Sequence, residues 1–134
     1  MVDDKSSIKL DSMIKEPKLP SSIATFIRAV NERDPGAFLS CFTNDAVVSD
    51  VGREFRGAAA IKEWGKNEIF DVDVTFEVVN VTEHDGETIV TVKVDGTFDR
   101  TGLPDPLLLN HYFILNGEKI AGFSSRLAGE EARS

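Results

Sequence analysis

One carboxylate stands where it could do chemistry. Asp50 follows the apolar run Ala46-Val47-Val48 and precedes Gly52, so it falls at the end of a predicted strand. An aspartate at that place starts a turn by bonding nearby backbone amides, or, held away from water in an apolar pocket, acts as a general base. Residue type and spacing leave both interpretations open.

The other reactive side chains favour structural roles. Cys41 lies beside Phe42 in a predicted helix, and an inert buried thiol is the favoured interpretation there. His84 and His111 are far apart in sequence, and no cysteine or histidine cluster has metal-ligand spacing. The sequence carries no phosphate-binding loop, zinc protease motif or nucleophile elbow. We therefore expect no metal and no cofactor.

Length and charge restrict the class of partner. The 134 residues, 41% of them hydrophobic, suit one domain. Fifteen basic and 23 acidic side chains give a formal charge of −8 without a Lys/Arg cluster, so neither nucleic acid nor an anionic membrane is an expected partner. No apolar run approaches the roughly 20 residues of a membrane span. With a single cysteine and no signal-peptide pattern, we expect a cytoplasmic protein.

The chain divides into three parts by composition. Residues 1–18 are mostly polar and predict a flexible N-terminal arm, and residues 19–127 predict a single domain. Residues 128–134 predict a disordered C-terminal tail.

Three helices are predicted in the first half of the domain. A helix after Pro20 has apolar residues at i, i+3, i+4 and i+7, namely Ile23, Phe26, Ile27 and Val30. Asp34 followed by Pro35 starts a second helix that reaches Phe42, and Gly57 opens a third.

The second half predicts a strongly curved antiparallel sheet. Asp85-Gly86 and Asn116-Gly117 are both signals of type I′ hairpin turns. The apolar alternation changes phase after Val78, which predicts a bulge that bends the sheet. Strands are expected near residues 46–50, 54–56, 71–83, 87–99, 107–115 and 118–126.

The strand over 107–115 is apolar on both faces and must therefore be covered twice. Three helices cover only one side of a domain of this size. We infer that a second copy covers the other side, which predicts a homodimer through the outer sheet face.

Five segments together resemble the nuclear transport factor 2-like superfamily, and within it the SnoaL-like polyketide cyclase and ketosteroid isomerase group. The segments are Asn31–Asp34, Phe42–Asp50, Gly57–Trp64, Asn110–Phe113 and Asn116–Ile120. The resemblance covers roughly residues 19–127. It implies an α+β conical barrel, in which a strongly curved antiparallel sheet wraps around three helices and encloses a deep apolar pocket.

The resemblance also implies roles for individual residues. Asp50 matches the catalytic base of the isomerases, which removes a proton next to a ketone. In ketosteroid isomerase, a tyrosine hydroxyl and a protonated aspartic acid stabilise the resulting enolate. Phe26 stands at the tyrosine position and has no donor, while Asn110 stands at the aspartic acid position. Efficient ketosteroid isomerase activity is therefore not expected. The Asn110 amide still donates one hydrogen bond.

A small hydrophobic molecule is the expected ligand. Alternation puts Asn110 on one face with Leu108, Tyr112 and Ile114, and these four are predicted to line the pocket, whereas His111 is expected on the outer face as an interface or structural histidine. Further expected ligand-binding residues are Phe26, Trp64, Phe123, Ser125 and Leu127, Leu127 being at a position that is often aromatic in the isomerases. For Trp64, packing in the helix core is the alternative.

Two functions follow from this interpretation. The favoured one is a SnoaL-like enzyme of the isomerase, cyclase or lyase type, in which Asp50 moves a proton and Asn110 polarises a carbonyl. The alternative is a noncatalytic dimeric module that binds a hydrophobic ligand in the same pocket. A domain that interacts with proteins through its surface ranks third, because no exposed recognition motif is evident.

Overall fold

The computed structural model describes residues 19–128. The predicted arm and, apart from Ala128, the predicted tail lie outside the described residues. The elements are α1 (Ser21–Asn31), α2 (Pro35–Ser40), β1 (Phe42–Asp50), β2 (Arg53–Arg56), α3 (Gly57–Gly65), β3 (Thr75–His84), β4 (Glu87–Asp95), β5 (Leu107–Asn116) and β6 (Lys119–Leu127). A π-helical turn over Lys66–Phe70 continues α3. None of the helices in this part of the chain has the length and apolar character of a membrane span.

The first two helices form where local sequence predicted them. The apolar positions of α1 are all buried, as their helical spacing indicated. At the start of α2, Asp34 Oδ1 accepts a hydrogen bond from the backbone N–H of Ala37 at 3.1 Å, and Pro35 occupies the first helical position. Short-range capping chemistry therefore sets the start of α2.

The second helix is shorter than predicted. It ends at Ser40, and Phe42 begins β1 instead of completing the helix. Phe42 pairs with Ile120 of β6, whose backbone N–H donates to the carbonyl of Cys41 at 2.7 Å. The prediction for Phe42 was wrong because a partner almost 80 residues further along the chain decides its conformation.

All six strands form one curved sheet in the order β2-β1-β6-β5-β4-β3. The helices and this sheet give the expected α+β class. Neighbouring strands run antiparallel except β1 and β6, which pair in parallel. The parallel pair places the end of β1 beside the end of β6, next to residues that come more than 70 positions later in the chain.

The two hairpins differ in their turns. Asp85 and Gly86 have φ of 52° and 84°, which is the predicted type I′ pattern. In the second hairpin Asn116 still pairs with Lys119, so the central residues are Gly117 and Glu118. Only Gly117 has positive φ, at 63°, which is the type II′ pattern, so the predicted turn was misplaced by one residue.

Register shifts interrupt the pairing of the sheet at three places, one of them between Phe42 and Val47, where β1 pairs with β6. The pairing of β3 with β4 shifts between Val78 and Asn80, which confirms the predicted bulge. The third shift lies between Ile114 and Leu115, where β5 pairs with β6. The resulting curvature gives the sheet an inner face, on which the helices pack, and an outer face.

Candidate functional site

A cavity of about 500 Å³ lies against the inner face of the sheet. Polar groups on its wall include Asp50, Ser125 and His111, and apolar ones include Trp64, Phe123 and Leu127. The π-helical turn and residues 98–103 close other sides of the cavity. The space is comparable with known small-molecule sites, which are mostly apolar with a few convergent polar groups.

Asp50 presents its carboxylate to this cavity. It is the last residue of β1, two positions beyond the buried Val48, so strand alternation directs it to the inner face. The indole Nε1 of Trp64 donates a hydrogen bond to Asp50 Oδ2 at 3.1 Å. Arg53 Nη2 lies 4.0 Å from the same oxygen, and the Asp50 side chain is 19% exposed. The carboxylate is thus mostly enclosed and held by a neutral donor.

Trp64 packs in the core and also borders the cavity, while its contact with a ligand stays a prediction. Its side chain is 4% exposed and packs in the core, with ring centroids 6.1 Å from Phe38 and 5.7 Å from Phe123. It also lies on the cavity wall. Packing against rings on two sides fixes the indole, and the indole N–H in turn orients Asp50.

His111 is the polar residue that sequence reasoning assigned to the wrong face. It is 2% exposed and lies on the cavity wall, with ring centroids 4.8 Å from Phe76 and 4.9 Å from Phe123. Its Nδ1 is enclosed and has no hydrogen-bond partner within residues 19–128. Desolvation lowers the pKa of His111 from 6.5 to about 3. The imidazole is therefore neutral at physiological pH.

Four residues predicted to line the pocket lie on the opposite face of β5. Asn110 pairs with Thr91, whose Oγ1 donates to Asn110 Oδ1 at 2.6 Å. Ile114 is 48% exposed, and Tyr112 lies under the guanidinium of Arg126 at 5.3 Å. Leu108 shares this outer face by alternation and is absent from the cavity wall. Since both faces of β5 are apolar, alternation showed which residues share a face but not which face is inside.

Phe26 does not reach the cavity either. It is fully buried in α1, with ring centroids 5.3 Å from Phe113 and 5.4 Å from Phe123. It packs behind the cavity wall, in the centre of the aromatic core, so its predicted place in the pocket was wrong. Ser125, Phe123 and Leu127 do line the cavity. Contact of these three with a ligand stays a prediction.

Three polar residues form a row across adjacent strands. Asp50 pairs with Ser125 between β1 and β6, and Ser125 pairs with His111 between β6 and β5. Neighbouring strands lie about 4.8 Å apart, so the backbones of Asp50 and His111 are about 10 Å apart. Sequence reasoning found the first two members. The third member, His111, could have been found because it is a polar residue in β5, where the other inner residues are apolar.

The remaining reactive groups do not join this row. Cys41 is buried, and burial raises the pKa of its thiol to about 11. Within residues 19–128, no three His, Cys, Asp or Glu side chains cluster in a way that could hold a metal ion. The polar groups available to the cavity are thus those of the sheet and Trp64, together with Asn67, Glu68 and Asp99 from the π-helical turn and the β4–β5 connection.

A curved sheet that closes over helices and leaves a cavity on its inner face defines the nuclear transport factor 2-like class of fold. Within this class, a SnoaL-like domain matches residues 23–123. The chain therefore belongs to the SnoaL-like domain family.

Solved structures agree with this assignment. A candidate polyketide cyclase from Sinorhizobium meliloti superposes with a TM-score of 0.72 at 26% identity, covering 81% of this chain and 95% of that one. A protein with a ketosteroid isomerase-like fold from Catenulispora acidiphila, in complex with trimethylamine, has a TM-score of 0.68 at 16% identity, covering 81% and 86%. TerC co-crystallised with polyporic acid has a TM-score of 0.67 at 16% identity, covering 84% and 93%. No curated protein matches the chain.

Proposed function

We propose that the protein is a SnoaL-like small-molecule enzyme of the isomerase, cyclase or lyase type, with Asp50 as its general base. The observation that carries the proposal is the placement of Asp50, which is mostly buried on the wall of the cavity and accepts a hydrogen bond from Trp64. A carboxylate with little access to water and a fixed direction suits proton abstraction from carbon.

The substrate is a small, mainly hydrophobic molecule with a carbonyl group. The cavity volume of about 500 Å³ fits a molecule of a few fused rings, and its wall includes Phe76, Val94 and Leu107. The crystallisation of TerC, a structural neighbour, with polyporic acid supports this class of ligand.

The proton transfer needs no cofactor. An oxygen of Asp50 takes a proton from the carbon next to the carbonyl, so that a C–H bond breaks and an O–H bond forms. The electron pair of the broken C–H bond moves onto the carbonyl oxygen and gives an enolate. When a pair returns from the oxygen to carbon, protonated Asp50 gives the proton back, to the same carbon in simple exchange or to the far carbon of a conjugated double bond in isomerisation. Asn110 takes no part, because its side chain lies on the outer face and bonds Thr91.

Exchange of α-protons for deuterium in a model ketone tests the role of Asp50. We expect the protein to accelerate exchange in α-tetralone, followed by proton NMR in D₂O. Asp50→Asn should lower the protein-dependent rate about 100-fold or more, since general bases contribute at least that much. Asp45→Asn, an exposed carboxylate on the same strand, is the matched control and should leave the rate unchanged. Equal rates in wild type and Asp50→Asn would refute the proposal.

Binding without turnover is the second candidate. The high share of apolar residues on the cavity wall favours it, because an apolar cavity holds a ligand without any proton transfer. In that case α-tetralone would change the fluorescence of Trp64, the only tryptophan, while mass spectrometry detected no deuterium in the recovered ketone. The two readouts separate the candidates on one sample.

We further propose that the protein is a homodimer through the outer sheet face. The half-buried Leu108 and Tyr112 and the exposed Ile114 lie on this face, which the helices do not cover. A self-complementary patch on a sheet suits a twofold interface. Sedimentation at micromolar concentration should show a dimer, and a species with the mass of one 14.7 kDa chain would refute this part of the proposal.

A further inference from the structure

A buried histidine on the cavity wall has a ring nitrogen without a hydrogen-bond partner in the described part of the chain. Nδ1 of His111 has no hydrogen bond within residues 19–128, although buried nitrogen and oxygen atoms nearly always have one. The rings around the imidazole, which include Phe76 and Phe123, offer no acceptor or donor in their planes. The imidazole therefore keeps hydrogen-bonding capacity that no described residue uses, and its place on the cavity wall makes a bound ligand the group that can use it.

His111 lies within reach of a small molecule that is bound next to Asp50. Both residues lie on the same cavity wall and in the same row across the sheet, with Ser125 between them. Their backbones are separated by about two strand spacings, or about 10 Å. Once both side chains extend into the cavity, the remaining gap accommodates a carbonyl group and its neighbouring carbon.

We propose that the imidazole of His111 donates a hydrogen bond to the ligand's carbonyl oxygen while Asp50 takes the proton from the adjacent carbon. The inference rests on the proposed function, and it narrows the substrate to carbonyl compounds whose oxygen lies against His111 when the adjacent carbon lies against Asp50. A hydrocarbon of the same shape leaves the imidazole unsatisfied.

A neutral imidazole suits this task. It carries one N–H donor, and neutral histidine is known to polarise a carbonyl during proton abstraction. Negative charge develops on the oxygen as Asp50 removes the proton, so a donor in a water-poor site stabilises the transition state more than the bound ketone. Desolvation, which depresses the pKa of His111 to about 3, keeps the group neutral throughout the physiological range.

The inference can be tested by comparing the binding affinities of two similar molecules, without measuring turnover. α-Tetralone and tetralin share a ring system and differ in the carbonyl group. We expect wild-type protein to bind α-tetralone more tightly than tetralin in calorimetric titration. His111→Leu keeps a similar volume and should remove this preference by weakening the ketone about 3- to 10-fold, the worth of one hydrogen bond, with little change for tetralin. Circular dichroism checks that the variant is folded.

Nitrogen NMR gives a readout that needs no substitution. In protein labelled with ¹⁵N-histidine, α-tetralone should shift the ring nitrogens of His111, whereas tetralin should not. His84 is exposed and is the only other histidine, so its unchanged signals serve as the internal control. Equal affinity for both probes in wild type, no binding of α-tetralone, or no ketone-specific shift at His111 would each overturn the inference.

The outcomes also separate this inference from the proposed function. Proton exchange that depends on Asp50 but is accompanied by no ketone-specific shift at His111 removes the role of His111 and leaves the general base. A ketone-specific shift with exchange that does not depend on Asp50 supports recognition of the carbonyl and refutes the general base.

Discussion

Trp64 Nε1 lies 3.1 Å from Asp50 Oδ2 and donates a hydrogen bond to it. This bond connects α3 to the end of β1, two elements that both border the cavity. Because the indole packs against Phe38 and Phe123, its orientation is fixed, and it cannot rotate with the carboxylate of Asp50. The direction of the proposed base is thus determined by the packing of a helix on the sheet.

Replacing this donor should destabilise the fold. Trp64→Phe keeps an aromatic ring in the core but removes the N–H, and hydrogen bonds to charged groups contribute about 1.5–3 kcal/mol. We expect the free energy of unfolding to fall by about 2 kcal/mol in urea denaturation followed by circular dichroism. In the Asp50→Leu background, the same substitution should cost clearly less. Equal costs in the two backgrounds would show that the bond does not contribute.

Burial of His111 should make stability depend on pH. Its pKa is about 3 in the folded protein and 6.5 in the unfolded chain, so the unfolded chain binds more protons between these values. Wild-type stability should therefore fall as pH decreases from 6.5 towards 3, by up to about 1.4 kcal/mol per pH unit from this group. Urea denaturation of wild type and His111→Leu at several pH values measures the difference, in which contributions from other groups cancel.

The surroundings of His111 explain why we assign this pH dependence of the unfolding free energy to its imidazole. The groups against the imidazole are the rings of Phe26, Phe76, Phe113 and Phe123. Charged residues on the same cavity wall are Asp50, Glu68 and Asp99; Arg126 also borders the cavity, but its guanidinium lies over Tyr112 on the outer face. His84→Gln is the control, since His84 is exposed, and it should leave the slope as in wild type. A His111→Leu slope that matches wild type would contradict the prediction.

A charge on the outer sheet face should dissociate the proposed dimer. Ile114 is a large apolar residue with 48% of its surface exposed. Ile114→Glu would bring two carboxylates into the apolar part of a twofold interface, and we expect the dissociation constant to rise about 10-fold or more. Val79→Glu, at the bulge of the edge strand β3, is the matched control with 51% exposure. Analytical ultracentrifugation over a concentration series distinguishes the two variants.

Gly65 should resist substitution because the core leaves no room for a side chain. A Cβ on this residue would stand 2.6 Å from Cε2 of Phe38. Phe38 is itself enclosed by Trp64 and Phe70, so Gly65→Ala should destabilise by about 1–3 kcal/mol. Gly36→Ala in α2, whose nearest neighbour would be at 3.7 Å, should be neutral or slightly stabilising. Thermal denaturation of both variants measures the contrast.

Local chemistry made much of the fold predictable. The spacing of apolar residues in α1, the Asp34 cap of α2 and the Asp85-Gly86 turn each act over a few residues, and the structure has all three. The bulge after Val78 follows equally from a local change of phase. Phe42 and the second hairpin turn were mispredicted, because pairing with β6 determines the first and the register between β5 and β6 the second.

The candidate site was predictable only in part. Sequence alone determined that Asp50 ends a strand, that β5 alternates and that Asn110 and His111 therefore face opposite ways. Only the tertiary structure decided which of the two faces is inside. Both faces of β5 are apolar, so the local sequence gives neither orientation of the strand an energetic advantage. The free energy gained by burying one face of β5 against α1 and the aromatic core arises only when these distant elements pack together. That choice placed His111 beside the cavity and Asn110 on the outer face.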